Sequence, residues 1–566
     1  MVGVVQNRLG GKFYWLTFWG IFLTIYLVQA LPAAAADFYR YQGGIKGEKE
    51  YAEVLYLTGE PVLLQGTVQE TTGPARDGKT TSRVTFTLEN KEKAIKLNRS
   101  FSFITEIEKN GRQEVNTTRL ERFSETITIG QDRYALQDFQ FSRSELLDHQ
   151  PAVVYQSGNW TARKVYSVNN DLAKITVETW GHTVGYRHAW GSTETSQEEG
   201  TVFFSGKVAI DKETFISTTW SSSFHQDLSY HRSRYLEYQA NEPLAISFPG
   251  GYVENTRTTE TLHYRGNFPD LENGLLASSR WLKKEGSYEL KSLPGKKWLR
   301  VAYLADIRGH WAEADIRQLY GLGALGEEGD YFRPALPFFR GQFARALVAV
   351  LDLPLPAGQS GWSPLPGTGG LPSTSRGFPG QAGLPGQIGS PFARPNFPGQ
   401  AGQPYGQPVW SGQSPLTYNR PGQPALPQEK PLFADVGTTD PAYKYYQAVY
   451  EAGVMTGTGP GLFGPTEPLT RAEVLVILVR ALGLEGLAPA GYVRTPFQDD
   501  WDIPAWARTA VYVANKIGLI QGDEYGFLKP NETLTRAEAA VLLNRFIHYL
   551  QEEMTADYRE RVLNFN

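Results

Sequence analysis

Three arginines recur at one point of a repeated pattern: Arg340, Arg471 and Arg536 each open an apolar run with helical periodicity. A helix N-terminus is the positive end of the macrodipole, so a cation there costs roughly a few tenths of a kcal/mol. Neither propensity nor capping explains its use three times. A guanidinium beside helix N–H groups without intrahelical partners makes an anion site, and its planar fork suits a carboxylate through paired hydrogen bonds. An ion pair with the aspartate that opens a repeat, Asp306, Asp435 or Asp499, accounts for an arginine equally well. The residues alone leave both readings open.

Two of these runs begin Thr-Arg-Ala-Glu, at Thr470–Glu473 and Thr535–Glu538. A Thr followed three residues on by Glu is a capping box, so Thr470, Glu473, Thr535 and Glu538 are expected to cap their helices. The first copy reads Phe339-Arg340-Gly341-Gln342. It lacks both capping residues and keeps the arginine.

The helices belong to segments that align three times. They start Leu304-Ala305-Asp306, Phe433-Ala434-Asp435 and Phe497-Gln498-Asp499, run through an amphipathic stretch to Gly323, Gly453 and Gly518, and turn at Phe332-Arg333-Pro334, Phe463-Gly464-Pro465 and Phe527-Leu528-Lys529-Pro530. Each then enters its second, apolar helix. Val474–Val479 and Val541–Leu543 are apolar nearly all round, which predicts helices buried in a bundle. Trp311-Ala312 and Trp506-Ala507 occupy one matching position, where the second copy has Pro441 with Tyr443 nearby. Order and triplication together make the set specific: over roughly 301–353 and 431–553 the chain resembles the S-layer homology (SLH) family.

That resemblance implies an all-α, pseudo-threefold bundle whose grooves between repeats bind secondary cell-wall polysaccharide, commonly through a pyruvylated N-acetylmannosamine end that carries a carboxylate. By the same resemblance the polysaccharide-binding residues are Arg471, Arg536, Asp435, Asp499 and Trp506, with Arg340, Asp306 and Trp311 carried over from the degenerate first copy. The repeats are placed at 300–353, 431–486 and 495–553, followed by a tail at 554–566. The expected location is the cell wall or cell surface, and possible further partners are other copies of the chain or other surface-layer proteins.

Residues 37–299 read as an antiparallel all-β domain, either a sandwich or an elongated meander. Val84, Phe86 and Leu88 alternate with polar neighbours, as do Ile127 with Ile129 and Ile175 with Val177. Asn110-Gly111 is expected at the centre of a hairpin turn. No nucleophile elbow, metal-binding helix motif, phosphate loop or dinucleotide fingerprint occurs here. His182 with His188, and His225 with His231, are each six apart and share a strand face, while Glu106, Glu108 and Glu178 fit solvated faces. Trp180, Trp190 and Trp220 are either core residues or a sugar-stacking surface. Three roles therefore stay open for this half: a structural or surface-layer component, an adhesin or carbohydrate-binding module, and an anchored hydrolase.

Composition narrows the partners. The chain has 566 residues, 55 Lys+Arg against 59 Asp+Glu, and no cysteine. No basic block follows a phosphate backbone, so nucleic acid is not an expected partner. Thiolate metal sites and cysteine nucleophiles are excluded, and the reading includes no cofactor and no metal. Residues 1–36 read as an export signal, with Arg8 and Lys12 before an apolar run and the track Ala33–Ala36; its cleavage would leave no membrane segment, and an uncleaved anchor is the competing reading. Between 354 and 430 lie 16 of the 35 prolines and four Pro-Gly-Gln triplets. This composition predicts a disordered linker inserted between repeats one and two. Loop closure grows only logarithmically in cost, so the threefold is still expected to assemble.

Overall fold

A computed structural model describes residues 42–43, 48–209, 214–240, 250–291, 295–301, 303–326, 330–356 and 431–554. The export signal, the linker from 357 onward and the tail from 555 lie outside the described residues.

The N-terminal half is one antiparallel sheet. Its strands are β1 (Gln42–Gly43), β2 (Glu48–Leu55), β3 (Val62–Thr72), β4 (Lys79–Asn90), β5 (Ile95–Asn110), β6 (Gln113–Ile129) and β7 (Asp132–His149). They continue as β8 (Val153–Val168), β9 (Ala173–His188), β10 (Gly191–Ala209), β11 (Phe215–Gln239), β12 (Gly251–Glu272), β13 (Leu275–Lys291) and β14 (Gly295–Trp298). Neighbours in sequence are neighbours in the sheet from β1 to β13, and β14 also pairs with β12. The architecture is the meander, and the sandwich alternative falls away.

The alternation dictates the shape. On β4, Thr80, Ser82, Val84, Phe86 and Leu88 are buried while their neighbours face outward. The sheet curls into a half-barrel around that buried face. The Tyr56 ring, just after β2, stacks on Phe224 of β11 at 3.8 Å between centroids, and Gln65 of β3 donates to the Tyr288 hydroxyl of β13 at 2.8 Å. Each large apolar side chain buried in the curl, such as Phe86, Phe101 or Phe268, contributes about 1.5–3 kcal/mol.

The curl also encloses ions. Arg99 donates to Glu125 at 2.7 Å and to both oxygens of Glu53 at 2.7 and 2.8 Å. Glu125 further accepts from Lys164 at 3.0 Å and from the Tyr166 hydroxyl at 2.7 Å. The hairpin after β5 differs from the expected turn by one residue. Asn110 pairs with Gln113, so Gly111 and Arg112 are the central pair, with Gly111 at φ 61°. A positive φ at the first central position alone is the type II′ pattern, which needs its glycine there.

The C-terminal half has six helices among the described residues: α1 (Glu313–Gly321), α2 (Arg340–Leu351), α3 (Tyr443–Glu451), α4 (Arg471–Leu482), α5 (Arg508–Lys516) and α6 (Arg536–His548). α2, α4 and α6 form the centre, and Leu347, Leu478 and Leu543 are fully buried there. Repeat one packs with the other two across the inserted linker. The C-terminal ends of the three central segments meet one end of the sheet. Ala152 donates its N–H to the Ala481 carbonyl at 2.8 Å, the Trp190 indole donates to Val350 at 2.8 Å, and Gln551 donates to the Arg234 carbonyl at 2.9 Å. Ala152, Val153, Tyr186 and Trp190 join the bundle's hydrophobic core.

Candidate functional site

The N-terminal ends of α2, α4 and α6 are tied together by a closed ring of backbone hydrogen bonds. Phe338 donates to Leu534 at 2.9 Å, Leu534 to Leu469 at 2.9 Å, and Leu469 to Phe338 at 3.1 Å. The next N–H groups also cross between repeats. Arg340, Arg471 and Arg536 donate from the main chain to Glu467, Glu532 and Leu336 at 2.9, 3.0 and 2.9 Å; Gly341, Ala472 and Ala537 donate to Pro465, Pro530 and Pro334 at 2.9, 2.9 and 3.0 Å. The third N–H is taken by the cap: Thr470 and Thr535 accept from Glu473 and Glu538 at 3.3 Å each, and the carboxylates accept from the two threonine N–H groups at 2.7 and 2.8 Å.

The expectation of bare amide donors beside each arginine is therefore corrected. Those donors are spent on the threefold joint. Replacing Thr470 or Thr535 by Ala should cost about 1 kcal/mol each, read as a lower urea midpoint of the full chain.

The side chains explain why arginine recurs where the dipole disfavours it. Each reaches from its own repeat to the Phe-x-Pro turn of the next. Arg340 donates to the Thr456 carbonyl and lies 5.6 Å from the Phe463 ring centroid. Arg471 donates to the Leu528 and Lys529 carbonyls at 2.9 Å each and to Glu538 at 2.6 Å. Arg536 lies 4.6 Å over the Phe332 ring. Arg340 and Arg536 are 6 % exposed, and the Arg471 side chain 11 %. The three junctions differ in charge. The position that Glu473 and Glu538 fill in repeats two and three is Gln342 in repeat one, so the junction of repeats three and one carries an amide in place of a carboxylate.

The opening aspartates accept hydrogen bonds from the backbone, and Arg536 adds a favourable charge near Asp306. Asp306 accepts from Phe332 and Arg333 at 2.7 and 2.6 Å, Asp435 from Phe463 and Gly464 at 2.9 and 2.7 Å, and Asp499 from Leu528 and Lys529 at 2.8 and 2.6 Å. Both oxygens of each carboxylate thus clamp the turn of its own repeat. Burial would raise the Asp306 and Asp435 carboxyls, but these N–H donors outweigh it and hold both below the usual range. The Trp-Ala tryptophans stand in solvent, Trp311 at 67 % and Trp506 at 60 % exposure. Tyr443 does not replace the missing aromatic of repeat two, because it is buried and its hydroxyl accepts from the Leu432 N–H at 2.9 Å. Gly341 has a local cause: a Cβ there would stand 2.7 Å from the Tyr446 hydroxyl.

In the β half the sequence-selected residues scatter. Glu106 pairs with Lys79 at 2.9 Å and with Arg119 at 3.2 Å, and Glu178 with Arg163 at 3.3 Å. His182 faces outward on β9, while burial drives the His188 imidazole down to about 3. Among the described residues no group of three or more His, Asp or Glu is placed to hold a metal. Trp190 and Trp220 are core, and Trp180 is exposed. Sequence reasoning passed over Glu198, whose carboxyl burial pushes up to about 7. It lines a cavity of about 120 Å³ inside the curl, well below the ~300 Å³ at which small-molecule sites begin.

Comparison with known proteins agrees with the repeats. The S-layer homology domain model matches residues 304–344, 432–475 and 496–540. An endoglucanase of Bacillus sp. (strain KSM-635) is 35% identical over 132 residues, 23% of this chain and 13% of that protein. The surface-layer 125 kDa protein of Lysinibacillus sphaericus is 32% identical over 133 residues, 23% of this chain and 11% of that protein. An amylopullulanase of Thermoanaerobacterium thermosulfurigenes is 34% identical over 112 residues, 20% of this chain and 6% of that protein. The alignments thus span only a small part of each relative. The chain carries three C-terminal SLH domains and is an exported protein of the cell surface.

Proposed function

We propose that the SLH bundle tethers the chain non-covalently to pyruvylated secondary cell-wall polysaccharide, and that the half-barrel is a structural component of the surface layer. The observation that carries this reading is the threefold arrangement itself. At each junction an arginine of one repeat lies against the next repeat's turn, beside a solvent-facing side chain: Leu462, Phe527 or Tyr331. Trp311 and Trp506 add exposed rings whose apolar faces suit a pyranose.

The resemblance assigns ligand roles to the arginines and aspartates. Their internal bonds divide that work differently. Asp306, Asp435 and Asp499 shape the grooves by fixing the turns, and all three arginines brace the joint. We assign the acidic glycan end to the Arg536 junction, because Gln342 stands there where the other repeats carry a glutamate. The grooves lie at the opposite end of the central helices from the sheet, about 18 Å away for a twelve-residue helix. A wall-bound bundle would therefore carry the sheet outward.

The test is sedimentation of the mature chain with purified wall polysaccharide before and after removal of its pyruvyl groups. Depyruvylation should weaken binding at least tenfold. Arg536→Ala should do the same and abolish the remaining dependence on pyruvate, since a charge-assisted pair is worth about 1.5–3 kcal/mol. The Trp311→Ala/Trp506→Ala double variant should weaken both forms without changing the melting temperature. Binding indifferent to both pyruvate and Arg536 would overturn the proposal.

A further inference from the structure

We infer that the outer face of the half-barrel carries a second glycan site, centred on Trp180, that takes a neutral pyranose chain. Trp180 is 45 % exposed on β9, and strand register builds a compact patch around it. Thr161, Trp180 and Glu199 lie in one row across β8, β9 and β10; Asn159, His182 and Gln197 lie in the next. Strands are about 4.8 Å apart and successive outward residues about 6.8 Å apart, so the patch measures roughly 10 by 7 Å, the scale of a sugar ring. These six residues line a hollow of about 460 Å³, within the ~300–1,000 Å³ range of small-molecule sites.

The groups match a neutral saccharide. An indole face stacks on the C–H face of a pyranose. Amide and carboxylate side chains exchange hydrogen bonds with its hydroxyls. Neither the Asn159 nor the Gln197 amide has a hydrogen-bond partner among the described residues, so both are available to a ligand. Glu199 is the one carboxylate among the six, and its nearest cation candidate is His225, at 3.8 Å. An acidic glycan would meet that carboxylate unfavourably, which separates this site from the junction arginines of the bundle.

The platform is also braced from beneath. Gly181 faces inward next to Trp180, and a Cβ there would stand 2.8 Å from the buried Trp160 ring and 2.6 Å from the Gln197 carbonyl. Trp160 therefore presses directly on the β9 backbone and fixes the position from which the Trp180 ring projects. Rigid support of this kind removes part of the ordering cost of binding. Six residues along β9, about 20 Å, the same outer face reaches Tyr186 in the core shared with the bundle. The sheet and the SLH bundle would thus offer two glycan sites on one molecule, different in charge.

The inference does not depend on the anchoring proposal, and its test separates the two. The mature full chain is titrated with chitohexaose, cellohexaose and maltohexaose, with tryptophan fluorescence and calorimetry as readouts. Saturable binding of at least one hexaose is expected, weakened at least tenfold in Trp180→Ala and several-fold in Asn159→Ala. Arg536→Ala should leave it unchanged, and Trp180→Ala should leave sedimentation with the pyruvylated polysaccharide and the melting temperature unchanged. No saturable binding of any hexaose up to on the order of 10 mM, or binding that both Trp180→Ala and Asn159→Ala leave intact, would refute the site. Binding of a protein from the same envelope at this patch, with no hexaose bound, would equally refute a glycan role.

Discussion

Glu125→Gln is expected to destabilise the half-barrel by about 3–5 kcal/mol, the usual result of breaking a buried ion pair from one side. The replacement leaves Arg99, whose side chain is 5 % exposed, with Glu53 as its remaining carboxylate among the described residues, and strips Lys164 of its 3.0 Å contact. Thermal or urea unfolding followed by near-ultraviolet circular dichroism measures the loss. Replacing Glu53, Arg99, Glu125 and Lys164 together by apolar residues of similar volume should cost far less, because no ion of the cluster is then left unpaired. A single replacement as mild as the fourfold one would mean that the cluster does not hold the curl.

The same carboxylate sets an acid limit. Burial alone would raise the Glu125 pKa, but Arg99, Lys164 and the hydrogen bonds outweigh it and hold the carboxyl down to about 2. The folded value lies below the unfolded one of about 4.3, so the contribution is complete above that pH and disappears as pH falls toward 2. It amounts to about 3 kcal/mol. The stability gap between the wild-type chain and Glu125→Gln should therefore close across that window. A gap that stays constant from pH 6 to pH 2.5 would contradict the pairing.

How much of this was legible in the sequence depends on whether a feature is local or made at a distance. Alternation on β4 and the Thr-Arg-Ala-Glu starts report neighbours a few residues apart, so the strands and capping boxes could be read directly. The turn after β5 was legible to within one residue, because Asn and Gly both tolerate positive φ and only the register decides which is central. The triplicate arginines were visible, yet their partners were not. Arg471 meets Glu538, 67 positions on, and no spacing rule within one repeat encodes the threefold that joins them. The occupied helix N–H groups have the same origin, since their acceptors belong to another repeat. In the sheet, Trp180, Trp190 and Trp220 are alike in sequence. Their different fates follow from which outer-face positions the bundle covers and which side of each strand turns inward. The Arg99 cluster was hidden for a related reason, because Glu53 and Glu125 lie 46 and 26 residues away and converge only when the sheet curls.

The sheet–bundle joint leads to the second large effect. Trp190→Ala is expected to cost about 3–5 kcal/mol, as for other buried Trp or Phe truncations, and to turn one cooperative melting transition into two. The Trp190 ring is 1 % exposed, its indole N–H donates to the Val350 carbonyl at 2.8 Å, and the Arg234 guanidinium lies 4.5 Å over it. Arg234 is held in turn by Glu254 at 3.0 Å and accepts from Gln551 through its carbonyl at 2.9 Å. One side chain thus links the last turn of α2, the segment after α6 and two strands. Interfaces between domains of one chain are ordinarily small and mobile, but here the sheet shares a hydrophobic core with the bundle and is joined to it by a main-chain hydrogen bond at Ala152. Trp190→Phe keeps most of the packing and removes the donor, so it should cost about 1–2 kcal/mol and preserve the single transition. Calorimetry of the full chain distinguishes the cases. If Trp190→Ala still melts in one step, cooperativity must run through Ala152 and the ends of α4 and α6. If the wild-type chain already melts in two, the bundle and the sheet are independent, and the anchor does not fix the direction in which the sheet projects from the wall.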